Sequence, residues 1–269
     1  PDDYFYAQAE LSYQMYTMKD WAYFIVKDGT ANNLSLNLSL TRRSIDNPVY
    51  TRRGTDISLG LQITPPFSLW DGKDYASMQR VDGGYETAEK FRWIEYHKWK
   101  FKARTYTALA GMDTKRTPVL MTRAEYGFVG YFNKHKKSPF ETFYVGGDGM
   151  SGYSSTYATE TIGLRGYENG SLGTNASAYS RLALEFRYPL ILEPSSTIYI
   201  LGFVEAGNAW DDLKKFNPFD LKRSAGFGAR IMLPMIGLMG IDWAYGFDPV
   251  RGSRDRSGSQ FHFIIGQEF

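Results

Sequence analysis

Three histidines and three loop carboxylates are the residue types from which a hydrolytic site would be built, and their spacing does not build one. His97 reads as mid-strand, His135 sits in a Lys-rich loop and His262 lies in the last strand. Neither H-E-x-x-H nor G-x-S-x-G occurs, so the chain offers no zinc-binding helix and no nucleophile elbow. Asp71, Asp74 and Asp82 share one polar loop, where acids are ordinarily solvated rather than held in the dry cleft that general acid catalysis uses. The run F-Y-V-G-G-D-G at 143–149 places Asp148 among glycines. Neither a helix nor an EF-type series of oxygen ligands follows it, which argues against phosphate or calcium binding. With no Cys, thiolate zinc sites and disulfide scaffolds are also gone. The expectation is a protein that is no enzyme and needs no metal or cofactor.

The other charges follow a regular pattern. Lys100, Lys102, Arg104, Arg123, Glu125, Arg181, Glu185, Arg187, Arg230 and Asp242 each alternate with apolar or small neighbours at period two, the repeat of a strand. Leu34, Leu36, Leu38 and Leu40 alternate with Asn33, Ser35, Asn37 and Ser39; Ile57, Leu59, Leu61 and Ile63 repeat the device. Later, Leu182, Leu184, Phe186 and Tyr188 oppose Arg181, Ala183, Glu185 and Arg187. The pattern predicts ten strands, at 4–16, 33–44, 54–64, 91–109, 117–132, 177–192, 196–208, 222–234, 238–247 and 259–269. Long connections (17–32, 65–90, 133–176, 209–221, 248–258) take turns with short ones (45–53, 110–116, 193–195, 235–237). That parity predicts an antiparallel up-and-down barrel with tight turns at one rim and elaborate loops at the other.

Which way the apolar face points follows from composition and length. Nothing approaches the roughly 20-residue apolar run of a transmembrane helix. The run 233–241 is broken by Pro234, Gly237 and Gly240. Aromatic residues make up 16% of the chain, beside 27 Gly, and a formal charge of +2 argues against a nucleic-acid surface. A soluble sandwich or lipocalin-like barrel would have to bury the charged face or the apolar one in a dry core, and a dry core does not absorb this many charges. The strands exceed the roughly five or six residues usual in soluble sheets and suit the about 9–11 needed to cross a bilayer at a tilt. Tyr13, Tyr16, Trp21, Tyr23, Trp93, Tyr96, Trp99, Tyr126, Phe128, Tyr131 and Phe132 gather near strand ends, as an interfacial girdle would. We therefore expect an all-β transmembrane antiparallel barrel with lipid outside and water inside.

The chain closes on F-H-F-I-I-G-Q-E-F, with Phe261, Phe263, Ile265 and Phe269 on one face. A strand ending on Phe resembles the β-signal of bacterial outer-membrane proteins. Pro1 opens without a leader-like segment, so either a signal peptide has been removed or this is an internal piece of something longer, and the strand-like opening run favours the internal piece.

The connection 133–176 carries the most specific words. Leu164-Arg165-Gly166-Tyr167 resembles the (V/I)-R-G-(F/Y) motif in the sixth extracellular loop of the BamA family of outer-membrane protein assembly factors. F-V-E-A-G-N-A-W at 203–210 is similar to the family's F-x-D-x-G-N strand, with Glu205 where Asp is usual. The segments 223–237 and 240–247 resemble its last hairpin, and 261–269 its closing strand, with Gly266 three residues before the end. The likeness runs in order from about 33 to 269. It implies that residues 1–269 are the last ten strands of a sixteen-strand barrel, with the earlier strands and the POTRA domains outside this chain.

The resemblance also implies roles. Arg165 would fold back into the lumen and pair with acids on the wall, for which the alternation supplies Glu185, Glu205 and Asp242. A planar guanidinium fork can engage two carboxylates, so Lys is no equivalent. Gly163, Gly166, Gly170 and Gly173 permit the tight path of an inserted hairpin. The last strand, with Phe261, Phe263, Ile265, Gly266 and Phe269, would border a lateral seam and pair edge to edge with incoming strands. Partners would be unfolded outer-membrane protein substrates, accessory assembly lipoproteins and the lipid bilayer, with no nucleic acid and no cofactor, and the location integral to the bacterial outer membrane. A two-partner-secretion transporter or TamA-like factor is the alternative from the same superfamily; a plain porin or adhesin barrel would make the motifs coincidental.

Overall fold

The alternating runs become strands because each can place its apolar residues on one side and its polar residues on the other. A computed structural model describes residues 2–21, 24–111, 116–149, 160–193, 195–235 and 237–265. In chain order the strands are Phe5–Met18 (β1), Gly29–Arg43 (β2), Gly54–Ile63 (β3), His97–Ala108 (β4), Val119–Gly130 (β5), Phe143–Val145 (β6), Glu160–Ile162 (β7), Gly173–Ala176 (β8), Ala178–Glu193 (β9), Ser196–Trp210 (β10), Lys222–Leu233 (β11), Gly237–Pro249 (β12) and Arg256–Ile265 (β13). Ten of them form one antiparallel meander, β1-β2-β3-β4-β5-β9-β10-β11-β12-β13, and β7-β6-β8 make a small separate sheet between β5 and β9. No described helix is long and apolar enough to cross a membrane.

The two faces of the large sheet are inverted relative to a protein dissolved in water. Leu36, Leu38, Leu40, Leu59, Leu184, Phe186, Phe227, Ile241, Phe261 and Phe263 are exposed, Phe227 at 61%. Arg123, Glu125, Arg181, Glu185, Arg187, Arg230 and Asp242 are buried, Asp242 at 0%. Register makes the rows continuous: Leu184 lies opposite Val204, and Phe227 opposite Trp243. An apolar outside and a charged, mutually paired inside is the arrangement of a wall bathed in lipid. Lys100, Lys102 and Arg104 share the inner parity but are only half-buried.

The sheet curls enough for distant strands to meet across the inner face. The turn between β2 and β3 folds inward and carries Tyr50 to Tyr199 of β10, ring centroids 5.3 Å apart. The Tyr50 hydroxyl lies 3.1 Å from the Thr117 carbonyl and 3.3 Å from that of Arg187. Tyr50, Tyr106, Val119, Met121, Tyr199, Leu201, Phe203 and Ala244 form an apolar cluster at this level. A second cluster, with Phe140, Phe143, Val145, Leu164 and Tyr167, packs loop residues against the other end of the wall. Among the described residues the sheet does not close on itself; β1 and β13 are paired on one side only.

Three sequence expectations need correction. Strand β4 begins at His97, not at 91, because Phe91, Ile94 and Tyr96 turn into the loop core instead of continuing a lipid-facing row. Tyr96, expected in the girdle, is fully buried with its hydroxyl beside Asn33, and Tyr16 stacks on Phe140 at 4.8 Å. Strand β2 starts at Gly29 because 29–31 continue the ladder opposite Met18, Thr17 and Tyr16. Tyr23, Gly266 and Phe269 lie outside the described residues.

Candidate functional site

The inserted loop is built from the bottom of its own small sheet. Strand β6 pairs in parallel with β7 and antiparallel with β8, so 143–145 and 160–162 run side by side and 173–176 returns. Phe143 meets Tyr179 of β9 edge-on at 4.7 Å. Glu160 on β7 is held by two lysines of β4, Lys100 at 2.6 Å and Lys98 at 3.2 Å. Below this sheet a single bridge joins Leu164 to Gly147, with the Leu164 amide 3.1 Å from the Gly147 carbonyl. The next residue is Arg165.

Arg165 is completely buried and reaches three acids on three strands. Its Nη2 donates to Glu185 of β9 at 2.9 Å and to Glu205 of β10 at 2.8 Å; its Nη1 donates to Asp242 of β12 at 3.1 Å. Its Nε and backbone amide both donate to Glu205, at 3.1 and 2.9 Å. Each acid is shared with an arginine of the wall: Glu185 with Arg187 at 2.6 Å, Glu205 with Arg181 at 2.8 Å and Asp242 with Arg230 at 2.7 Å. The Arg165 guanidinium carbon stands 3.4 Å from the centre of the Phe203 ring, an added cation–π contact. Buried charges are tolerated here because cations and carboxylates alternate and hydrogen-bond directly.

The neighbours of Arg165 extend the grip. The Gly166 amide donates to His262 Nε2 of β13 at 2.8 Å, and the Tyr167 hydroxyl donates to the Arg223 carbonyl of β11 at 2.8 Å. Residues 165–167 therefore hold β9, β10, β11, β12 and β13 together. Gly166 is required by space and by conformation. Its φ is +85°, and a Cβ there would sit 2.8 Å from the Ser224 Cβ and 3.1 Å from the Gly246 amide nitrogen. Gly246 is its complement, since a Cβ at 246 would lie 2.3 Å from the Gly166 carbonyl.

Away from Arg165, the loops 65–90 and 133–139 meet. Lys136 lies 3.5 Å from Glu95, and its ammonium stands 4.5 Å over the Tyr75 ring. Burial pulls the Lys136 amine below the usual lysine range, against the opposing pull of Glu95 and Asp71. Glu95 also accepts from Ser68, and Tyr75 donates to Asp71. Among the described residues no group of His, Asp and Glu could hold a metal ion.

Of the residues singled out from sequence, the structure brings Leu164, Arg165, Gly166, Tyr167, Glu185, Glu205 and Asp242 into one cluster. Phe261, Phe263 and Ile265 stand apart from it, exposed on the outer face of β13. Sequence reasoning missed Phe203 and His262 as members, and saw Arg181, Arg187 and Arg230 only as inward charges. Parity carried a signal for His262, which shares the inner face of the last hairpin with its register partner Asp242.

The sequence matches the Omp85 superfamily domain over residues 3–269. No curated protein matches it. Among solved structures, the fold is similar to the crystal structure of BamA from Haemophilus ducreyi lacking POTRA domains 1-3, with a TM-score of 0.64 and 15% identity, over 98% of this chain and 51% of that one. The chain thus spans about half the length of that structure, and at this identity the likeness is one of fold.

Proposed function

The chain belongs to the Omp85 superfamily, and from that premise we propose that it forms part of an outer-membrane barrel that folds and inserts other β-barrel proteins through a lateral seam. In this reading residues 1–269 are the C-terminal part of the wall. The remaining strands, POTRA domains and accessory lipoproteins are supplied outside them.

The observation that carries the reading is the grip of 165–167 on the last five strands. It fills the inner face with a buried ionic cluster, and Tyr50 adds an apolar block at another level. An inner face occupied in this way suits work at an edge; the second reading is a translocating barrel of the same superfamily. In the assembly reading β13 is that edge; like β1, it is paired on one side only among the described residues. An unpaired edge presents a row of backbone donors and acceptors to an incoming strand. Burial of the substrate's apolar face in lipid supplies the driving force, so no nucleotide or cofactor enters the scheme.

Residues 1–269 contain no cysteine, so an introduced thiol is the only one within them. Phe261→Cys or Phe263→Cys is expected to form a disulfide in cells with a cysteine placed in the terminal strand of an outer-membrane substrate. Normal expression without any adduct at either position contradicts the seam.

A further inference from the structure

The hydrogen bond from Gly166 to His262 has a chemical requirement that the other ties of the loop lack. Arg165 is held by carboxylates, and Tyr167 by a carbonyl. The terminal strand instead presents an imidazole nitrogen, and Nε2 accepts from the Gly166 amide only while it carries no proton. Protonation turns that acceptor into a donor, so two N–H groups face each other at hydrogen-bond distance inside a buried site. We propose that His262 is a proton-dependent link between the inserted loop and the terminal strand: neutral, it ties β13 to Gly166; protonated at Nε2 by solvent, it releases β13 from the loop.

The surroundings fit a group that changes charge. His262 is buried at 5% exposure, and its register partner is Asp242 of β12. Glu205 of β10 and Asp148 of the loop also face it, and Arg165 is the cation on the loop side. Burial penalises the charged imidazole; Asp242, Glu205 and Asp148 offset that penalty and Arg165 adds to it, with Asp242 and Glu205 themselves shared with Arg230 and Arg181. The rest of the grip does not depend on it, because Glu185, Glu205 and Asp242 keep Arg165 when Gly166 loses its partner. Release is therefore local to β13, which among the described residues is paired on one side only. This inference rests on the seam reading only for its use; the link itself is a property of the folded wall.

Amide exchange in the full-length protein, without substrate, tests the link. Exchange at 164–167 and along β13 is compared between wild type and His262→Gln at each pD from 8 to 5, so that the intrinsic pH dependence of exchange cancels. Gln offers a non-titrating acceptor. The wild-type to Gln ratio is expected to rise about tenfold as pD falls through the imidazole range, while His262→Ala exchanges fast at every pD. A flat ratio overturns the link and leaves the seam proposal standing. A second measurement addresses its use: crosslinking from Phe263→Cys to a substrate is expected to increase severalfold on acidification in the wild-type background and to stay level with His262→Gln. Equal pH responses in the two backgrounds overturn the coupling of the link to the seam.

Discussion

Arg165→Ala is expected to lower the heat resistance of the folded barrel on semi-native gels more than any other single substitution in the loop. The change strands three carboxylates of which each was shared between Arg165 and one wall arginine. The cost of leaving buried charge half-compensated is about 3–5 kcal/mol. A surface pair would give about 0–1 kcal/mol, and an unchanged melting profile would place Arg165 in that class and remove it as the centre of the site. Arg165→Lys keeps the charge yet lacks the fork that spans Glu185, Glu205 and Asp242 at once, so it is expected to melt close to the Ala variant. Glu205 receives three of the hydrogen bonds from Arg165, including that from its backbone amide. Glu205→Gln is therefore the acid substitution with the largest loss.

Gly166→Ala is the second large effect, and it acts without removing any charge. The methyl group meets the Ser224 Cβ at 2.8 Å in a backbone conformation with φ +85° that L residues rarely adopt. Left-handed strain of about 1–2 kcal/mol adds to an overpacking cost of about 1–3 kcal/mol. If the loop withdraws to escape that strain, the Arg165 contacts break as well. The double variant with Arg165→Ala is accordingly expected to melt near the worse single variant, because both changes undo one structure. Additive losses on semi-native gels would show that Gly166 and Arg165 hold different parts of the wall.

Much of this arrangement is legible in the sequence. Period two survives into the strand almost unaltered, because alternating sides is a property of the extended backbone itself. For that reason Glu185, Glu205 and Asp242 could be assigned to the inner face one by one. What parity leaves open is which inward acids share a level. Glu125 is also inward and buried, but its ion pair is with Arg123 at 3.6 Å, and only the curl of the sheet decides between them. The same alternation misleads at 91–96, where Ile94 and Tyr96 pack into loops rather than lipid. Tyr50 carried no periodic signal at all, since a short connection that folds inward has the same composition as one that stays at the rim. His262 was overlooked because its role depends on a backbone amide contributed by a residue far away in the chain.

The central claim is that the apolar side of this sheet faces oil and the charged side faces water. It is tested most directly by nitroxide labels at Leu36, Leu184 and Phe227, all of them exposed on the outer face. In lipid vesicles these labels are expected to collide readily with dissolved oxygen and to be shielded from an aqueous nickel complex. Collision with nickel in preference to oxygen at all three positions would contradict the orientation, and with it the assignment of the buried ionic cluster to the lumen.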